Sequence, residues 1–379
     1  MRICHVIPSL DPADGGPPVV VERLGAAQAA LGAEVAVVYA ERPGADDRIR
    51  KALEETPGAE RLDLRPLAGA RRAAIASAVA PACDFVHIHG VWTPLLATAA
   101  GLCARRGVPY CVAPHGMLDP WSLKQKRLKK KAALAVLWKR LLNRAAFIHA
   151  LNRDEAELMA PLGLTARTEV IPNGIFIEEF EQLPAPGAFR ASRPEIGDDP
   201  CVLFLGRLHY KKGLDLLAPA FAGVLERLPG ARLVVAGPDD GAREPFVRQV
   251  RALGVENRVH LVGPLYGQDK LAALTGAACF CLPSRQEGFS IAITEALACG
   301  VPCVVSADCH FPEVGEAGAG RVTTLEPANI AESLVEVLSN PESARAMGEA
   351  GARLVHDRFT WPRIANQTLT VYARRGPQG

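Results

Sequence analysis

Between Ala277 and Ser306 the chain reads AACFCLPSRQEGFSIAITEALACGVPCVVS. An apolar run from Ala277 to Leu282 stops at Pro283 and Ser284, a helical pattern follows from Ile291 to Cys299, Gly300 ends it, and Cys303 to Val305 is apolar again. This is one strand, loop, helix, strand unit of an α/β fold. Two carboxylates sit in it. Glu287 lies in the loop and Glu295 in the helix, so they occupy different levels of a single site rather than one helical face. The loop Glu287-Gly288-Phe289-Ser290 feeds the helix N-terminus, whose first N–H groups lack intrahelical partners. That geometry suits an anion or a ring of hydroxyls. Taken singly, each carboxylate reads more simply as a solvated residue or a charge favouring the helix dipole.

A chain of 379 residues is too long for one ordinary core and predicts two domains of about 150 to 200 residues. Hydrophobic residues make up 49% and charged residues 22%, which is globular. Lys plus Arg at 43 against Asp plus Glu at 41 leaves +2, so the global balance calls for no nucleic acid. The ten cysteines contain no C-x2-C pair, which argues against a metal or a disulfide framework and for buried free thiols in a reducing cytosol. MRICHVIPSL is a short strand broken by Pro8, unlike a signal peptide. No apolar run approaches the ~20 residues of a membrane span. A cytoplasmic protein is expected.

Met1 to Ile7 predicts a first buried strand, Pro8 to Pro18 a turn-rich loop with Gly15 and Gly16, Val19 to Leu31 a helix, and Glu34 to Tyr39 a return strand. Glycines there let backbone approach a phosphate, since no Cβ intervenes. Phe85 to His89 carries His87 and His89 on one face; with no acidic or cysteine partner nearby, a structural or acceptor-facing role is expected rather than a metal. After the strand Val108 to Ala113, His115 falls where a doubly wound sheet puts its ligands, and an imidazole there can donate a hydrogen bond to a sugar hydroxyl or phosphate. Residues 121–144 carry nine basic residues and no acidic one, with Leu123, Leu128, Leu134, Leu137, Trp138, Leu141 and Leu142 at helical spacing. One amphipathic helix is predicted, either solvated on its basic face or docked on an anionic membrane surface. Nucleic acid would fit the charge, but no recognition motif accompanies it.

The turn Asn173-Gly174 lies near the close of a first domain set at 1–182. Residues 183–200, rich in Pro, Ala and Gly, read as a linker, 201–357 as a second domain and 358–379 as a terminal helix. The second domain opens with a strand, then Gly206, Arg207, Lys211, Lys212 and Gly213 before a helix, which describes a phosphate cradle or, on spacing alone, a solubilising loop. Two further strands end in Gly237 and Gly263, and Leu265 and Tyr266 follow the second.

Three strings, HGMLDPW from His115, GRLHYKKGLD from Gly206 and the E-x7-E pair of Glu287 and Glu295, resemble the retaining family 4 glycosyltransferases. The resemblance covers nearly the whole length. It implies the GT-B fold, two Rossmann-like domains facing across a cleft, with the terminal helix packing back on the first. It implies transfer of a hexose-type sugar from a nucleoside diphosphate sugar, without a metal, to a carbohydrate or lipid-linked acceptor in surface polysaccharide or glycolipid assembly. His115, Arg207, Lys212 and Glu287 are then the catalytic group. Gly15, Gly16, Gly206, Tyr266, Gly288, Phe289, Ser290 and Glu295 join Arg207, Lys212 and Glu287 in holding the donor. The resemblance gives Arg207 and Lys212 the pyrophosphate, Glu287 the sugar hydroxyls, Glu295 the ribose, Tyr266 the neighbourhood of the base and His115 the transferred sugar. The sequence has no DxD string, in keeping with a metal-independent site. Phe176 departs from the pattern, where relatives commonly carry Asp. Two other functions stay open: a GT-B nucleotide-sugar 2-epimerase, and a catalytically silent nucleotide-sugar-binding partner subunit.

Overall fold

Runs of three to seven residues, most of them apolar and bounded by glycine, proline and polar turns, form the strands of a computed structural model that describes residues 1–69, 72–79 and 83–375. Strands buried on both faces read as continuous apolar runs because helices cover them on either side. The chain divides into two compact units, one formed by Met1–Asn173 with the chain from Trp361 onward, the other by Gly174–Thr360.

The first unit holds β1 (Arg2–Ile7), β2 (Glu34–Ala40), β3 (Asp63–Leu67), β4 (Phe85–His89), β5 (Tyr110–Ala113), β6 (Phe147–Ala150) and β7 (Thr168–Val170). Their order is β3-β2-β1-β4-β5-β6-β7, with every pairing parallel. The second unit holds β8 (Cys201–Leu205), β9 (Arg232–Ala236), β10 (Val259–Gly263), β11 (Cys279–Leu282), β12 (Cys303–Ser306) and β13 (Gly320–Thr323). Its order is β10-β9-β8-β11-β12-β13, again all parallel. Both are Rossmann-like, as expected. Strand order reverses between β1 and β4 and between β8 and β11, the places where such sheets open a crevice beyond their carboxyl ends.

The terminal helix Trp361–Arg375 buries Trp361, Ile364, Ala365, Thr368 and Tyr372, a stripe at helical spacing. It packs against the helix Gly16–Ala30, and the Tyr372 ring stacks on Phe85 at 4.3 Å between centroids. The division between units differs from the boundary at 182 and the linker at 183–200. Phe180, Phe189 and Ile196 are buried in the core of the second unit, so residues 174–200 are part of that unit; their prolines and glycines punctuate turns between anchored side chains.

Residues 121–144 do not form the single helix that their spacing predicts. A short helix Pro120–Lys124 ends at an extended Gln125 and a left-handed Lys126 (φ +51°), followed by the helix Arg127–Ala133, a π turn Leu134–Trp138 and the helix Lys139–Asn143. Lys130 Nζ reaches back to the Ser122 carbonyl at 2.7 Å and holds the break closed. Trp138, Leu141 and Leu142 are buried, whereas Leu128 and Val136 are 82% and 83% exposed. The apolar stripe therefore splits into a core-facing part, Trp138, Leu141 and Leu142, and a solvent-facing part that includes Leu128 and Leu137.

Candidate functional site

Two loops at the carboxyl ends of β8 and β11, the neighbours at the second unit's switch point, are stitched together by charge. Lys212 Nζ lies 2.7 Å from Glu287 Oε1, and both side chains are largely buried, at 20% and 10% exposure. Glu287 also accepts from Ser284 Oγ at 2.5 Å, and its N–H donates to the Asp308 carbonyl at 3.2 Å. Lys211, one residue before, turns elsewhere and reaches Gln286 Oε1 at 2.7 Å. Arg285 forms a two-pronged pair with Asp215, 2.7 Å on each arm, and stacks on the Tyr210 ring at 4.1 Å. Its N–H donates to the Lys211 carbonyl at 2.7 Å. Gly213 is needed for the approach: its φ is +72°, and a Cβ there would lie 2.0 Å from the Pro283 carbonyl oxygen.

Arg207 follows Gly206 on the same rim, 64% exposed, with Nη1 3.1 Å from Asp240. Glu295 is nearly buried in the helix Ile291–Ala298 and pairs with Lys270 Nζ at 2.6 Å. Lys270 belongs to the helix Gly267–Thr275, which starts directly after Tyr266, itself 73% exposed. Leu265 beside it is buried in the core. Gly288 and Ser290 carry the loop into the helix Ile291–Ala298, with Ser290 buried at its N-cap position. Phe289 is different from its neighbours: its ring packs with Phe311 and Phe359, at 5.3 and 5.9 Å between centroids. Its side chain anchors the loop, and only its backbone faces the helix N-terminus. The second unit thus brings Arg207, Lys212, Glu287, Glu295 and Tyr266 to one rim of one sheet.

In the first unit, Gly15 (φ +107°) ends the loop after β1, and the helix Gly16–Ala30 starts at once rather than at Val19. A Cβ on either Gly15 or Gly16 would meet no atom within 4 Å, so the ground above this helix N-terminus is open. His115 follows β5 with a left-handed backbone (φ +52°). Its turn is clamped by the buried carboxylate of Glu155, which accepts from Gly116 N at 2.6 Å and Leu151 N at 2.7 Å. Beneath His115 lies a connected set of residues of which the sequence singled out only His87 and His89. His115 Nε2 is 3.0 Å from His89 Nδ1, His89 Nε2 is 2.9 Å from His5 Nδ1, and His5 Nε2 is 2.7 Å from Gln28 Oε1. Tyr372 OH is 2.7 Å from His87 Nδ1, and His87 Nε2 is 3.1 Å from His149 Nδ1. Burial pushes the imidazoles down, to about 4 for His5 and His149 and about 3 for His115, with His87 and His89 also well below their ordinary value. The available signal was a histidine inside each of several apolar parallel strands, where polar residues are rare unless partnered.

His5, His87 and His89 stand close enough to hold a metal ion. Both ring nitrogens of each already have a hydrogen-bond partner, and the set includes no carboxylate to offset a buried cation. In the structure these residues form a hydrogen-bond network. Lys270, Asp240, Asp215 and Arg285 were also missed; lone charges carry no motif, and only the fold shows which carboxylate or cation each one meets.

The family model described as "Glycosyl transferases group 1" matches residues 188–354, and "Glycosyl transferase 4-like domain" matches residues 15–174. A D-inositol 3-phosphate glycosyltransferase of Mycobacteroides abscessus is 30% identical over 78% of this chain and 68% of its own length. One of the same name from Segniliparus rotundus is 33% identical over 54% of this chain and 46% of its own. The chain spans about half the length of several curated relatives that it matches. Among solved structures, Anabaena HepE in complex with UDP aligns with a TM-score of 0.79 at 20% identity, covering 99% of this chain and 100% of that one.

Proposed function

The chain belongs to the GT-B glycosyltransferases, and on that premise we propose that it moves a hexose from a nucleoside diphosphate sugar to an acceptor hydroxyl with retention of anomeric configuration. The observation that carries this reading is the Lys212–Glu287 pair, a partly buried cation and a sugar-binding type of carboxylate held 2.7 Å apart at the sheet's switch point. Breaking the bond between sugar and diphosphate leaves negative charge on the diphosphate and oxocarbenium character on the sugar. An ammonium has three N–H donors; Glu287 takes one, and the others suit the leaving phosphates together with the Arg207 guanidinium. Preorganised charge of this kind usually contributes more to catalysis than any other single effect. Glu287 then holds sugar hydroxyls, Glu295 the ribose, the exposed Tyr266 the base, and the Gly288–Ser290 backbone an oxygen at the helix N-terminus. His115 meets the transferred sugar, and Gly15 and Gly16 leave room for phosphate. No step in this scheme requires a metal ion.

Thermal unfolding against UDP, GDP, ADP and their sugars, with chelator present, tests the donor site. One base should raise stability selectively, by about 2.7 kcal/mol at 100 times its Kd. No shift with any nucleotide at saturation would dismantle the site built from Arg207, Lys212, Glu287 and Glu295.

The acceptor we propose is a carbohydrate or lipid-linked hydroxyl presented at an anionic membrane surface. Support comes from residues 121–144, where Leu128 and Val136 are exposed within a segment of nine basic residues. A 560 Å³ groove there is lined by Leu123, Leu134 and Leu162 and by Lys124, Arg127 and Lys131. No helix among the described residues is long and apolar enough to cross a membrane. The protein should bind vesicles containing anionic lipid at low salt and leave them as salt screens the charge, since each basic residue contributes on the order of 1 kcal/mol. Absence of binding at low salt would return this surface to plain solvation.

A further inference from the structure

We propose that a one-way chain of hydrogen bonds through the first sheet fixes His115 as a hydrogen-bond acceptor, with its Nε2–H committed inward and its Nδ1 lone pair presented outward, and that Gln28 is the positioning residue that sets this polarity. The direction follows from the ends of the chain. A neutral imidazole offers one donor and one acceptor. The Ile171 carbonyl can only accept, so His149 Nε2 donates to it at 2.7 Å. His149 Nδ1 must then accept from His87 Nε2, and His87 Nδ1 must accept the Tyr372 hydroxyl hydrogen. Tyr372 has no second hydrogen, so the Gln28 atom 3.4 Å from its oxygen is the amide nitrogen.

A second contact gives the same answer. Gln28 Nε2 lies 2.9 Å from Thr368 Oγ1, whose own hydrogen goes to the Ala365 carbonyl at 2.7 Å. The amide is therefore held with its NH2 toward the terminal helix and its oxygen toward His5. His5 Nε2 donates to that oxygen, His89 Nε2 donates to His5 Nδ1, and His115 Nε2 donates to His89 Nδ1. Burial keeps every ring in the chain neutral at neutral pH, so no extra proton is present to reverse a link. This corrects the expectation that His115 donates to a hydroxyl or phosphate: its one N–H is already in use. Given the reading above, in which His115 meets the sugar, it takes a hydrogen from a sugar hydroxyl.

Two experiments separate the chain from the sugar contact. Long-range proton–nitrogen NMR on protein with 15N-labelled histidine, with His115 assigned by His115→Gln, should show His115 protonated at Nε2 and bare at Nδ1. The reverse tautomer in wild type overturns the proposal. In Gln28→Met the acceptor for His5 is lost, and His5, His89 and His115 should turn over together, leaving His115 protonated at Nδ1. A folded variant with His115 unchanged removes Gln28 from its assigned role.

For kinetics, the donor chosen by thermal shift is compared with analogues in which one sugar hydroxyl at a time becomes hydrogen or fluorine. At the position that meets His115, both analogues should lose about tenfold more in kcat/KM with wild type than with His115→Ala, because fluorine cannot donate and its inductive effect is common to both enzymes. A fluoro analogue that keeps the parent's rate where the deoxy analogue fails would make His115 a donor and overturn the proposal. If no position depends on His115, the sugar contact itself is wrong, and the tautomer result alone decides the chain.

Discussion

Lys212→Ala should lower kcat/KM for the nucleotide sugar by about 100-fold or more, a loss of about 3 kcal/mol in transition-state stabilisation. Two effects add. The leaving diphosphate loses the cation expected to meet its growing charge, and Glu287, only 10% exposed and 2.7 Å from Lys212, loses the partner that compensates its burial. Removing one member of a partly buried pair leaves the other uncompensated, which costs more than the pair contributes. Among the described residues, Ser284 Oγ would then be the side-chain donor left to Glu287, and its aim at the sugar would loosen. The drop should appear in kcat as well as in KM, because the charge on the leaving group develops in the transition state. Lys211→Ala is the control. Its side chain points to Gln286, so the change should fall within about fivefold of wild type, in line with substitutions away from the reacting atoms. Equal losses in the two variants would mean that the loop, and not Lys212, is what matters.

Much of this rim was legible in the sequence, for a physical reason. Loops that hold phosphates need glycine where backbone crowds backbone, cations near it and a helix start behind it, and all three fall within Gly206 to Leu214 and within Ser284 to Ile291. Strand, loop and helix follow each other along the chain, so local patterning suffices. What escaped is what the fold joins from afar. Gln28 and Tyr372 are 344 residues apart, yet a hydrogen bond links them. Lys270 meets Glu295 across 25 residues and two elements. Phe289 looks like part of a binding loop but turns into an aromatic cluster with Phe359, a partner that no local window contains. Residues 121–144 failed for a different reason: helical spacing is a statement about side chains, while the chain breaks at Gln125 and Lys126 through backbone angles that spacing does not report.

Acid should unfold the first unit at a pH where ordinary carboxylate titration has hardly begun. His5, His87, His89, His115 and His149 are neutral in the folded protein, held below their ordinary value of 6.5 mainly by burial, while in the unfolded chain they titrate near that value. Below pH 6.5 the unfolded state therefore binds more protons than the folded state, and stability must fall as pH falls. The stabilisation is fully present above pH 6.5 and is lost through the window down to about pH 4, where His5 and His149 themselves take up protons. Each such histidine contributes a slope of about 1.4 kcal/mol per pH unit well below 6.5. Five together approach roughly 7 kcal/mol per unit, as much as many domains have in total. The carboxylates held low here, such as Asp11 at about 2, start from an ordinary value of 3.8 and act only below this window. All four tryptophans, Trp92, Trp121, Trp138 and Trp361, belong to the first unit, so their fluorescence follows its unfolding separately from the second. Urea midpoints read this way should be level from pH 7 to 8 and fall steeply from pH 6 to 5. A flat profile down to pH 5 would mean that the imidazoles carry charge in the folded state, and a chain of single-proton links from Ile171 to His115 could not then exist.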